Sequence, residues 1–324
     1  MDTSAVADSF TFKGVELEAT PSALGTLRCS DDASGDYAAL RQRMQEDGYL
    51  FMPGLLDREA VLEARHEVAR RLAEAGLLDP TRPVEECIAA AGAEVGFMAE
   101  VARDNPQLDA VLYAGPMMDF YRGFLGGPVR HFDYTWFRTK SPGPNATQPH
   151  YDLVYMGRGT HQLYTSWTPL SDIPMSMGGL MVLENSHRQQ ELIATYGQQD
   201  VDLYCENDPD SSALVADARA AARDLSGEER GRVQWQSPTF GSYSEDADAT
   251  RRELGGRWLT AEYRMGDLLV FSMYTMHASA DNHSDQIRLS SDSRYQLASE
   301  PVDERWIGED PPLHGIRAHR GMIC

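Results

Sequence analysis

Between Gly126 and Glu300 the chain is a succession of short runs rich in aromatic and β-branched residues, each closed by turn formers. HFDYTWFRTK, PHYDLVYM, HQLYTSWTPL, GGLMVLENS, RWLTAEYRMGDLLVFSMYTMHAS and QIRLSSDSRYQLAS follow one another in this way. That texture predicts a sandwich or barrel of short strands, a mainly β fold. The series is broken by residues 188–258, which are polar and acidic. A helix is expected there around SSALVADARAAARDL and a loop at SPTFGSYSEDADAT. Long excursions inside a compact β core are usually lids or binding loops, so 188–258 is read as a lid-like insertion.

Upstream the pattern has helical spacing. Asp36 to Leu78 carries two stretches with apolar residues at three- and four-residue intervals, separated by the strand-like run GYLFMPGLL. Asp57 is a fitting N-cap for the second helix. Residues 84–104 and 106–125 also read as helical, with Pro106 near a helix start. Residues 1–36 are aperiodic and read as a flexible N-terminal arm. The predicted organisation is that arm, a single domain over 37–300 with a helical part at 37–125, and a loop-like C-terminal tail over 301–324.

Charge and cysteine usage narrow the function classes. The chain of 324 residues has 29 basic and 50 acidic side chains, a net charge of −21. Such a field repels phosphate backbones and anionic lipid, so neither nucleic acid nor a membrane is expected as partner. No stretch approaches eighteen consecutive apolar residues. MDTSAVADSF has neither the basic region nor the apolar core of a secretory signal. Cys29, Cys87, Cys205 and Cys324 match no zinc spacing. They read as free thiols in a reducing compartment, which predicts a cytoplasmic location.

The chemistry concentrates in His150-Tyr151-Asp152. On a strand, residues i and i+2 share a face, so an imidazole and a carboxylate would emerge side by side. His277, after the apolar run GDLLVFSMYTM, is the candidate third ligand. Two histidines and one carboxylate on one triangular face leave positions open, the arrangement of non-haem Fe(II) oxygenases. A second H-x-D, His131-Phe132-Asp133, lacks such a partner set and reads as structural. Arg288 lies in the run after His277, and its guanidinium suits the distal carboxylate of a dicarboxylate co-substrate. Ser290 and Asp292 share its face. His161, His187 and His283 read as turn or strand-end residues. Trp235 and Trp258 are either substrate contacts or local packing.

Taken together, HYD…W…PL…GG.L.V…SHR and Y..GDLLVF....HAS..N.SDQIRLS..SRYQ resemble the phytanoyl-CoA dioxygenase family of Fe(II)/2-oxoglutarate-dependent oxygenases. The resemblance spans about residues 37–300, DGYLFMPGLL included. It implies a double-stranded β-helix (a jelly roll, cupin-like) flanked by helices. It implies iron held by His150, Asp152 and His277, and 2-oxoglutarate held by Arg288. Trp167 and Ser279 fall where members place co-substrate contacts, and Thr147 and Ser290 are added from location. Two features depart from the family: Tyr151 stands where many members have Gln, and the insertion is long. Halogenating relatives replace the carboxylate with a small residue, so Asp152 favours hydroxylation, desaturation or another oxidative outcome over halogenation. The implied reaction consumes dioxygen and 2-oxoglutarate, oxidises an aliphatic carbon of a small molecule, and releases succinate and CO2. Two other readings stay open on sequence: a jelly-roll binding protein without turnover, and an iron oxygenase that does not use 2-oxoglutarate.

Overall fold

In the strand Arg288–Leu297 every residue through Gln296 is buried, yet its two faces differ in kind. Leu289 and Tyr295 enter an apolar cluster with the helices. Arg288, Ser290, Asp292 and Arg294 alternate with them and therefore project to the other side. The period of two thus sorts one strand into a packing face and a polar inner face, and the rest of the fold is arranged around that division. The computed structural model describes residues 10–205, 209–233, 240–315, 317–318 and 320–322.

Two sheets carry the fold. One orders Leu24–Thr26, Trp258–Thr260, Leu180–Leu183, His277–Ser279 and Thr147–His150. The other orders Tyr49–Met52, Leu268–Ser272, Tyr164–Pro169 and Arg288–Leu297, the last pairing with both Val129–His131 and Trp136–Lys140. Neighbours are antiparallel except Leu24–Thr26, which runs parallel to Trp258–Thr260. From Thr147 the chain alternates between the sheets, apart from the return after the insertion, which is the winding of a double-stranded β-helix. The helices Tyr37–Asp47, Arg58–Glu74, Pro106–Tyr113 and Gly115–Leu125 cover the outer face of the second sheet. Leu40, Val68, Leu72, Leu112 and Phe124 meet Leu50, Val270 and Leu289 there. Asp57 caps its helix by accepting from the Glu59 N–H at 3.0 Å.

Several expectations are corrected. Residues 84–104 hold only the short 3-10 turns Val84–Glu86 and Ala99–Val101. Gly92 and Gly96 weaken a helix, and the sheet offers stronger partners: Met98 N–H donates to Phe137 O and Thr139 N–H to Gly96 O. The 106–125 helix breaks at Ala114, which is extended; Gly115 follows at φ +46°, and Pro116 stands in the first turn of a new helix, where proline is favoured. The segment expected as a flexible arm is docked from Phe10 onward. Phe10, Phe12 and Leu17 are buried with Trp136 and Trp258. The Asp281 carboxylate accepts from Thr11 Oγ1, Lys13 N–H and Gly14 N–H. The C-terminal segment also packs onto the β core, with the Trp306 ring 4.6 Å from that of Trp136. Within 188–258 the helices Pro209–Ala220, Gly227–Val233 and Ala247–Leu254 form, the first over the stretch predicted.

Candidate functional site

His150 closes the strand Thr147–His150, and His277 opens the strand His277–Ser279 directly opposite it. Their ring centroids are 4.1 Å apart. Asp152 is not on the strand, contrary to the i, i+2 argument. It stands in helical backbone conformation at the N-terminus of the short helix Leu153–Met156. The chain turns off the sheet at Tyr151, whose hydroxyl donates to Ser186 O at 2.6 Å on the far side. That anchored turn, rather than strand alternation, returns the carboxylate to the imidazoles.

Asp152 Oδ1 lies 3.9 Å from His150 Nε2 and 3.8 Å from His277 Nε2. The three side chains are buried, and their ligand atoms lie within 4.8 Å of one another. Each Nδ1 faces a backbone carbonyl, Gln148 O at 2.8 Å for His150 and Thr275 O at 3.0 Å for His277. A carbonyl only accepts, so each Nδ1 carries the hydrogen and each Nε2 turns a lone pair to the centre. Burial, then the neighbouring His277, lowers the His150 pKa to about 3. Burial lowers that of His277 as well. Burial alone would raise the Asp152 carboxyl. Arg294, the two imidazoles and the Thr165 hydroxyl outweigh it and hold the group below the usual carboxylate range. Two neutral imidazoles and an ionised carboxylate are the donor set a divalent cation needs, so the residues fit a bound Fe(II).

The second oxygen of Asp152 is separately occupied. Oδ2 accepts from Arg294 Nη2 at 3.1 Å and from Thr165 Oγ1. Thr165 and Arg294 are cross-strand partners in the second sheet, so that sheet grips the outer oxygen and leaves Oδ1 to the centre. Sequence reasoning missed both. The signal for Arg294 was present, since it continues the alternation Arg288, Ser290, Asp292.

Arg288 is 1% exposed and forms no ion pair with a carboxylate among the described residues. Its Nη1 donates to Gly178 O at 2.5 Å, while Nε meets no acceptor among the described residues. Gly178 sits at φ +67°, and a side chain there would collide with Asp281 O. Trp167 is buried with its ring 5.9 Å from the guanidinium. The cross-strand partner of Arg288 is Lys140, also missed from sequence. Lys140 Nζ donates to Ser279 Oγ at 2.5 Å, and Ser279 Oγ also accepts from Thr147 N–H. Burial, then Arg288 and Arg138, drives the Lys140 pKa well down. Ser290 Oγ is 3.5 Å from Arg288 Nη2. Arg288, Trp167, Ser279, Thr147 and Ser290 are thus gathered in one neighbourhood. The inner surface carries Arg138, Lys140, Arg288 and Arg294 against Asp152 and Asp292. This local excess of cations in a chain of net charge −21 calls for an anion, because buried unpaired charge is costly.

A cavity of about 420 Å³ opens onto His150 and Asp152. Phe97, Tyr134, Trp136, Tyr155, Phe240 and Trp306 give it aromatic walls. Phe240 comes from the insertion, read from sequence as a lid or binding loop, and Trp306 from the C-terminal segment, for which the sequence assigned no such contact. The other singled-out residues lie elsewhere. His131 stacks on Tyr113 with centroids 4.2 Å apart, and Asp133 accepts from Gly308 N–H. His161, His187 and His283 hydrogen-bond Tyr274 OH, Gln45 O and Thr11 Oγ1. Trp258 donates to Ala247 O, a packing role. Trp235 lies outside the described residues. No described helix is long and apolar enough to cross a membrane.

The family model for phytanoyl-CoA dioxygenase (PhyH) matches residues 44–290. A 1-deoxypentalenic acid 11-beta-hydroxylase of Streptomyces exfoliatus is 24% identical over 273 residues, 82% of either chain. In structure, the non-haem alpha-ketoglutarate-dependent epimerase SnoN from nogalamycin biosynthesis superposes with a TM-score of 0.53 at 18% identity. The match covers 87% of this chain and 94% of that one. EctD from S. alaskensis gives 0.52 at 15% identity, covering 95% and 94%.

Proposed function

Since the chain belongs to the phytanoyl-CoA dioxygenase family and is an Fe(II)/2-oxoglutarate-dependent oxygenase, we propose that it hydroxylates an aliphatic carbon of a small molecule. His150, Asp152 and His277 are the proposed iron ligands. Arg288 and Lys140 are the proposed anchors for 2-oxoglutarate, with Ser279, Thr147, Ser290 and Trp167 around them. The observation that carries this reading is the placement of two buried cations, neither ion-paired with a carboxylate among the described residues, on the same inner surface as an open triad. When bound, Fe(II) and 2-oxoglutarate supply the oxidising chemistry, in which dioxygen is consumed, succinate and CO2 leave, and one oxygen atom goes to the substrate.

The residues of the chain do the positioning. The Nδ1–carbonyl bonds fix both imidazole tautomers and rings before metal arrives. Arg294 and Thr165 keep Asp152 presenting one oxygen, so a second does not block a position that dioxygen or co-substrate needs. Arg288 offers a planar donor fork and Lys140 a point charge, a pair matched to a carboxylate. The aromatic walls hold an apolar skeleton at the triad and exclude water there.

The helical part, the insertion, the strand Leu24–Thr26 and the C-terminal segment are read as one domain, with 188–258 contributing one wall of the cavity. The named relative is a hydroxylase of 1-deoxypentalenic acid, and SnoN belongs to nogalamycin biosynthesis. These support a small-molecule substrate of that general kind.

The test is iron-dependent release of succinate from 2-oxoglutarate by the purified protein. His150→Ala, Asp152→Ala and His277→Ala are each expected to abolish it, and Arg288→Ala to weaken 2-oxoglutarate affinity. Succinate release that persists in the three ligand variants would remove the assignment.

A further inference from the structure

Two residues that line the aromatic cavity carry buried donors without acceptors. Trp306 and Arg294 both line it, and each is 1% exposed. Trp306 Nε1 meets no acceptor among the described residues, and neither do Arg294 Nε and Nη1. Arg294 Nη1 is 3.9 Å from Asp292 Oδ2, beyond hydrogen-bond reach. An indole N–H and a guanidinium can only donate. Leaving such groups unmet in a buried setting is destabilising. The cavity's rim groups Gln148 and Ser242 are half-buried and reach water, so they set no comparable demand.

Charge points the same way. The cavity is lined by Arg138 and Arg294 against the single carboxylate Asp152. Arg138 spends its Nε on Asp292 at 2.5 Å. A divalent cation at the triad adds further positive charge. The acidic surface acts from farther off and is screened beyond about 8 Å at physiological salt, whereas charges inside a low-dielectric cavity are not.

We propose that the substrate is a carboxylic acid with an apolar skeleton, its carboxylate received by Trp306 and Arg294 and the skeleton lying against the aromatic walls. This rests on the oxygenase reading above and names the substrate class of that same site. Arg294 then has two duties, one N–H on Asp152 and the others on the substrate. The acid is thereby held beside the reacting centre rather than at the cavity mouth. Arg288 and Arg294 are six residues apart on one strand, about 20 Å at an extended rise. The substrate carboxylate and the 2-oxoglutarate carboxylate therefore have separate receptors.

The experiment uses the full-length protein loaded with Fe(II) and 2-oxoglutarate in the absence of oxygen. Isothermal titration calorimetry with 1-adamantanecarboxylate and 1-adamantylamine compares two probes of one skeleton and opposite charge. The acid is expected to bind at least tenfold tighter than the amine. Trp306→Phe, which keeps the ring and removes the N–H, is expected to weaken the acid three- to tenfold and leave the amine unchanged. Equal or tighter binding of the amine, or no saturable binding of the acid, overturns the proposal. So does a Trp306→Phe variant that moves both probes alike. Iron-dependent succinate release on the same preparation reports on the oxygenase reading alone, so the two can fail separately.

Discussion

Arg294 reaches from the second sheet to hold Oδ2 of Asp152 at 3.1 Å, while Oδ1 of the same carboxylate faces the imidazoles of the first sheet. The ion pair ties the two sheets together at the point where the metal is proposed to sit. Both partners are buried, so removing one leaves an uncompensated charge. Arg294→Met is expected to destabilise the metal-free protein by about 3–5 kcal/mol. A divalent cation is then a substitute counter-ion for Asp152. Added Co(II) or Fe(II) should recover more stability in the variant than it adds to the parent. Urea unfolding with and without metal measures both numbers, and a metal-free variant as stable as the parent contradicts the pair's structural role.

Lys140 has the opposite signature. It is a buried cation that forms no ion pair with a carboxylate among the described residues, and burial and the cations beside it lower its pKa well below the ordinary lysine range. Lys140→Met keeps most of its length and removes its charge demand. The metal-free variant is expected to melt at the parent's temperature or above, because replacing a poorly compensated buried charge with an apolar chain is neutral or stabilising. Affinity for 2-oxoglutarate should fall by about 2–5 kcal/mol, the usual loss on truncating one partner of a buried charge pair. The rise in melting temperature that 2-oxoglutarate gives the parent should shrink accordingly. A variant that keeps that rise takes Lys140 out of the co-substrate site.

The two imidazoles predict an acid-sensitive apoprotein. His150 is lowered to about 3 in the folded state, and His277 is lowered too. Between an unfolded value near 6.5 and that folded value, the unfolded chain takes up protons that the folded chain refuses. Stability therefore rises with pH across this window and levels off above it. Asp152, held below its ordinary range, contributes stability above about pH 4 that is lost on further acidification. The slope from one histidine is at most about 1.4 kcal/mol per pH unit. Unfolding midpoints at pH 7.0, 5.5 and 4.5 follow it, and His150→Gln should flatten the series. An equally steep series in that variant assigns the acid loss to other groups.

The sequence made the triad legible because His150 and Asp152 are near neighbours and His277 follows an apolar strand. The route was read wrongly: Asp152 returns through a turn pinned by Tyr151, not by strand alternation. Arg288 was legible as a planar cation next to a candidate ligand strand. Lys140 and Arg294 occupy the same two-residue alternation, but a charged residue on a strand ordinarily faces water, and only the closed pair of sheets reverses that expectation. The 84–104 segment read as a helix because its alanines and glutamates favour one, while the sheet edge that captures it is remote in sequence. Trp306 and Phe240 carried no local signal, since their meeting at the cavity depends on how the tail and insertion fold back.

That fold-back has its own anchor, and it can be cut without touching the triad. Asp202, in the insertion, accepts from Arg305 Nη1 at 2.7 Å, from His314 Nδ1 at 2.8 Å and from Gly315 N–H at 2.9 Å. The Arg305 guanidinium is also held by Asp303. Trp306 and His314 line the cavity, so this buried carboxylate fixes the wall that the C-terminal segment supplies. Asp202→Asn removes the charge and turns an amide hydrogen toward a donor. Arg305 keeps Asp303, so the loss is smaller than for a wholly orphaned cation, about 2–3 kcal/mol for charged hydrogen bonds. The effect should be local: amide hydrogen exchange over residues 301–315 is expected to quicken while the strands bearing His150 and His277 stay protected. Succinate release without added substrate should persist, because neither the triad nor Arg288 contacts Asp202. Exchange over 301–315 that matches the parent would show that the wall is held by its aromatic packing alone.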